Sequence, residues 1–309
     1  MDQNGPFFTF LCHQPAAART HRLRTLLPRI LALDNPTSHH AETGTRPGEN
    51  DDAPTNQIRH SELLSQHPWL TFLLPFLVYM VAGSFEPAPP HESGVEADNW
   101  FGLRYEHYPL AYTVKIALTF AAMLFVLPGY RQFPFRISPL AIGVGVVGVV
   151  VWIGLSQLGL EERFVEWLGA KSKLVGLLGL GERPAYNPLA QLAANPAWAY
   201  AFLAIRFLGL ALVVPIIEEF FLRGFLMRFV MSDRWWAVPF GQVTMLSVVV
   251  GTLFPVLYHP EKLAALVWFS LVTWLMVRTK NIWDCVAAHA VTNLLLGIYV
   301  VTRGQWQLW

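Results

Sequence analysis

From residue 69 onward the chain is a succession of apolar segments, most of them near the length that crosses a lipid bilayer as one helix. Inside hydrocarbon every backbone N–H and C=O has to be satisfied within the protein, so segments of this kind fold as α-helices. The runs cover residues 69–85, 110–127, 140–160, 197–230, 238–258, 263–277 and 282–301. They predict an all-α, polytopic integral membrane protein with about seven transmembrane helices. Composition agrees: 54% of residues are hydrophobic and 14% charged, where soluble domains carry about 25% charged residues. Residues 161–196 are different, because EERFVEWLGAKSKLVGLLGL spaces its charges among apolar side chains. That pattern predicts an interfacial amphipathic helix followed by a loop at 181–188.

Residues 1–60 are rich in Pro, Thr, Asn, His and Arg. Their apolar stretch at 26–33 is interrupted by Pro28 and Arg29, too weak for a signal-peptide core. They are expected to be a disordered polar tail, with residues 61–309 forming one membrane domain. The two cysteines, Cys12 and Cys285, fall one in the tail and one in an apolar span, so no disulfide is expected and no metal-type spacing exists. A net charge of +1 without a long basic run gives no sign of a nucleic-acid partner. The loop after the first span is net acidic, whereas Arg131, Arg136, Arg228, Arg234, Arg278 and Lys280 sit in alternate loops. The positive-inside rule then places the basic loops and the N-terminus in the cytoplasm, with Lys115 snorkelling toward headgroups near one end of its span.

Within the fourth span stands PIIEEFFLRGFL, carrying Glu218, Glu219 and Arg223. A charge at bilayer depth costs about 2.5–3.5 kcal/mol on insertion scales, so three together call for a function or a partner. Arg206 and Arg228 bracket about one membrane crossing, with Glu218 near the middle. On a helix Glu219 and Arg223 are four apart in the favoured ion-pair direction, while Glu218 lies about 100° round. Two adjacent carboxylates in a dry site cannot both ionise freely, which suits one of them to general acid/base chemistry. The structural alternative is an ion pair plus one protonated Glu facing another helix.

A second constellation is His289 and Asn293 in AAHAVTNLLL, four apart on one face of an apolar helix. A neutral imidazole and a carboxamide are donors suited to a developing oxyanion, and equally suited to gluing helices together. His259, in FPVLYHPEKL, sits at the boundary of two spans. Asp284 reads as a helix cap or an interfacial charge, and Arg206 either snorkels or pairs within the bundle. The other EE pair, Glu161-Glu162, has Glu166 where an arginine would be needed and reads as a solvated helix start.

These motifs resemble those of the CAAX prenyl protease and bacteriocin-processing (CPBP, or Abi) family of intramembrane endopeptidases. The family pattern is EExxxR, FxxxH and HxxxN or HxxxD on successive helices. Glu218, Glu219 and Arg223 match the first, and His289 with Asn293 match the last, over a core of about residues 200–295. The middle motif departs: Pro255 stands four residues before His259, and Phe254 is one earlier. Among relatives the chain is most similar to the CAAX-protease-related proteins found alongside bacterial exosortase systems. The resemblance implies a cofactor-free hydrolase in a bacterial plasma membrane, cutting a protein or peptide near a lipidated or membrane-anchored end. Glu218 would activate water with His259 assisting, His289 and Asn293 would hold the oxyanion, and Glu219 with Arg223 would hold the site together. Three rivals remain open at this point: a zinc-dependent protease, although no HExxH is present; a carboxylate-based proton or ion transporter; and a catalytically silent immunity or scaffold protein on the same fold.

Overall fold

The computed structural model describes residues 62–87, 102–169, 175, 180 and 185–309; the expected tail at 1–60 lies outside the described residues. The described elements are helices, with no strand among them. In chain order they are α1 (Trp69–Gly83), α2 (Tyr108–Tyr130), α3 (Pro139–Gln157), α4 (Leu160–Leu168), α5 (Pro188–Gln191), α6 (Pro196–Phe229), α7 (Met245–Tyr258), α8 (Lys262–Thr279) and α9 (Ile282–Arg303). Among the described residues, five apolar stretches are long enough to cross a membrane: α2, α3 with α4, α6, α8 and α9. The remaining two expected spans, α1 and α7, are apolar but only 15 and 14 residues long. The molecule is an integral membrane protein.

Helix starts follow local chemistry. Ser138, Asn187 and Asn195 each precede a proline, and each side chain accepts an N–H from the first turn of α3, α5 or α6. The proline has no N–H to leave unpaired and its φ already suits the helix. Thr244 and Ser247 form a reciprocal capping box that starts α7 seven residues later than apolarity alone suggests, after Pro239 and the left-handed Gly241. Gly159, also at positive φ, separates α3 from α4. On α4, Leu160, Phe164 and Trp167 form an exposed apolar stripe opposite its charged residues, as an interfacial helix requires.

α6 is the spine, packed against α1, α2, α7 and α9. Helices α3 and α9 approach closely because two glycines allow it. A Cβ on Gly145 would run into Ala288 and Val291, and one on Gly148 into Thr292 of α9 as well as the Trp268 ring of α8. Small residues at such contacts are the usual means of packing helices where no hydrophobic gain separates lipid from protein. Thr292 Oγ1 adds a 2.9 Å bond to the Gly145 carbonyl.

Several charges sit where the sequence reading did not put them. Lys115 does not snorkel: it is buried, pairs with Glu86 at 2.7 Å and lies between the rings of Tyr79 and Tyr112. Glu161 is no solvated helix start, since its carboxylate accepts the Leu263 N–H at 2.8 Å and so caps α8. Asp284 caps neither its own helix nor the interface; it accepts the Ser138 N–H at 2.7 Å and the Ser138 hydroxyl at 3.0 Å, tying α9 to the start of α3. Arg206 donates to the carbonyls of Tyr186 and Trp309. Arg228 donates to those of Gly224, Val238 and Trp236, which clamps the turn leaving α6.

Candidate active site

The Glu pair occupies one regular turn, Val214–Glu219, between two stretches of α6 that are wound more widely, Gly209–Val213 and Phe220–Leu226. Wide π-type turns inside an α-helix concentrate at functional sites. Glu218, Glu219, Arg223 and His289 are all buried, the last on α9. Arg223 Nη1 lies 3.2 Å from Glu219 Oε2, and Nη2 donates to the Phe269 carbonyl at 3.3 Å. The other oxygen of Glu219 accepts from His289 Nδ1 at 2.9 Å. Glu219 is therefore held from two sides by two different elements.

Glu218 is not. His289 Nε2 is 4.0 Å from Glu218 Oε2, beyond hydrogen-bond range, and among the described residues no donor reaches that oxygen. The two adjacent carboxylates thus differ: Glu219 is held by two partners, whereas Glu218 Oε2 has no donor among the described residues. The ring chemistry of His289 follows from its bond. Since a carboxylate only accepts, Nδ1 carries a proton, and a neutral ring would have no second proton on Nε2. An Nε2 donor requires the imidazolium.

His259 ends α7. Pro260 restricts the residue before it to extended backbone, and His259 has φ −82° and ψ 139°. Its Nδ1 donates to the Pro255 carbonyl at 2.8 Å, which leaves Nε2 as a lone pair. The ring packs on Phe269, which the cluster also approaches: His259 is 4.9 Å, Arg223 5.2 Å and His289 6.1 Å from that ring. Asn293 is turned elsewhere, its amide donating to the Leu210 carbonyl on α6 at 2.7 Å. The structure therefore gathers four of the six candidate residues, packs His259 on the Phe269 ring that Arg223 and His289 also approach, and aims Asn293 at backbone.

Two contributors escaped the sequence reading. Phe269 is the ring around which His259, Arg223 and His289 are arranged, and nothing in an apolar span distinguishes such a phenylalanine. Tyr258 has a buried hydroxyl with no hydrogen-bond partner among the described residues and lies within electrostatic reach of Glu218. Its position beside His259, a polar tip at the end of an apolar helix, was the available signal. Among the described residues no three His, Cys, Asp or Glu side chains are grouped to hold a metal ion.

Fold and cluster together define a polytopic helical membrane protein with a buried carboxylate, histidine and arginine centre. Residues 200–295 match the family model of Rce1-like proteins, the type II CAAX prenyl endopeptidases. This match agrees with the resemblance of the motifs to the CAAX protease (CPBP) family, a family of peptidases acting on protein or peptide substrates. Comparison with curated proteins and with solved structures gave no match.

Proposed function

We propose that this protein is a glutamate-dependent intramembrane endopeptidase that cuts near a membrane-anchored or lipidated end of its substrate. The observation that carries the reading is the inequality of the two carboxylates: Glu219 is fixed by Arg223 and His289, while Glu218 Oε2 is buried without a donor among the described residues. Glu218 takes a proton from water, whose oxygen attacks the scissile carbonyl carbon. The carbonyl electron pair moves onto oxygen, where His289 Nε2–H stabilises it, with the second amide proton of Asn293 as a further donor. Collapse of the intermediate breaks the C–N bond, and Glu218 returns its proton to the leaving amine. The lone pair on His259 Nε2 suits it to orient the water.

The alternation of basic and acidic loops supports a cytoplasmic N-terminus. The resemblance to exosortase-associated proteins supports a bacterial plasma membrane. The test is cleavage of membrane-anchored and prenylated peptides by purified protein in detergent. Glu218→Gln is expected to lower the rate by about 10²–10⁴-fold, the usual worth of a general base. Turnover that survives both Glu218→Gln and Glu219→Gln would end the glutamate mechanism, and turnover lost to a strong chelator would replace it with a metal-dependent one. Absence of cleavage across a broad peptide panel would favour a silent scaffold on the same fold.

A further inference from the structure

In the wide turn at Gly209–Val213, the Val214 N–H bonds to the Gly209 carbonyl, five residues back. In the same register the next donor would be residue 215, reaching the Leu210 carbonyl. Residue 215 is Pro215, which has no N–H to give. The Leu210 carbonyl is instead met by Asn293 Nδ2 at 2.7 Å, across the helix pair from α9. We propose that Asn293 is a positioning residue: its carboxamide stands in for the missing Pro215 N–H and thereby holds α6 in the widened register that turns Glu218 and Glu219 toward His289.

The register matters because a wide turn accommodates one extra residue, and one residue rotates everything after it by about 100°. Relaxed to ordinary winding, α6 would carry the Glu pair away from His289, which sits four residues before Asn293 on the same face of α9. One helix thus supplies both the ring that binds Glu219 and the amide that fixes the angle at which Glu219 arrives. The kinetic part of this inference rests on the protease reading; the structural part does not.

The test is a double-mutant cycle of Asn293→Ala and Pro215→Ala, since alanine at 215 supplies an N–H for Leu210. Asn293→Ala alone is expected to lower kcat at least tenfold with little change in KM, and to lower the unfolding midpoint in detergent. In the Pro215→Ala background the same substitution should cost less than about threefold in kcat and leave the midpoint nearly unmoved. A double variant that folds where Asn293→Ala alone does not would equally support the inference. Equal losses in both backgrounds would overturn it and assign Asn293 to the substrate alone. If none of the four proteins cleaves peptide but the midpoints still show the coupling, this inference stands and the protease reading falls.

Discussion

At the scale of single residues, the site rests on a guanidinium with no solvent exposure. Arg223 holds Glu219, donates to the Phe269 carbonyl and lies over the Phe269 ring, so both Nη nitrogens and one face are engaged. Removing one member of a buried pair typically costs about 3–5 kcal/mol, because the other charge stays behind. Arg223→Met should fall in that range in detergent unfolding. Arg223→Lys should fall between it and wild type, since a lysine keeps the charge but cannot fork between a carboxylate and a carbonyl. The pairing itself was legible in the sequence, as the four-residue spacing needs nothing beyond one helix. So was the face carrying His289. The Asn293 bond was not legible, because helical spacing assumes regular winding and Leu210 offers its carbonyl only where α6 is wound wide. Lys115 resists a sequence reading for a related reason: its partner Glu86 follows the other helix of a pair, a contact no single span records.

At the scale of elements, most boundaries followed from the length of apolar runs, because lipid imposes one helix per run. The exception is α7, where Val238, Phe240 and Val243 extended the apolar run while Pro239, Gly241 and the Thr244 cap set the true start. Which helices touch was not legible, since apolar faces toward lipid and toward protein have the same composition. The packing of α3 against α8 and α9 shows what decides it. Gly148→Ala would drive a methyl into the Trp268 ring, and overpacking of this kind costs about 1–3 kcal/mol. Gly143→Ala, on the same helix but with open space at its Cβ, should be neutral or stabilising by up to about 1 kcal/mol. Comparing the two unfolding midpoints separates packing from helix propensity.

At the scale of the whole molecule, the charge pattern makes a definite claim about sidedness. Reporter fusions truncated after Arg136 and after Lys280 should report the cytoplasm, and one placed in the loop between α1 and α2 should report the opposite side. A reversed result would place the Glu pair nearer the outer surface, because α6 has only about ten residues, some 15 Å, beyond Glu219. The two short helices carry a further consequence. Both α1 and α7 lie against the Phe220–Leu226 stretch of α6, Phe76 stacking on Phe221 at 4.0 Å and Phe254 approaching it at 5.7 Å. On α7, Met245, Val249, Leu253 and Leu257 stand about one turn apart along a single exposed stripe, with Leu246 beside it. A helix of 14 residues spans only about 21 Å, against a hydrocarbon thickness of about 30 Å. Thinning of the bilayer is one way to meet helices this short, and here it would fall beside the stretch of α6 that follows the Glu pair. Acyl-chain length then becomes a variable of the reaction. Reconstituted in vesicles of short-chain phosphatidylcholine, the protein should turn over faster than in long-chain vesicles, where the mismatch is larger and the bilayer must deform further to meet the short helices.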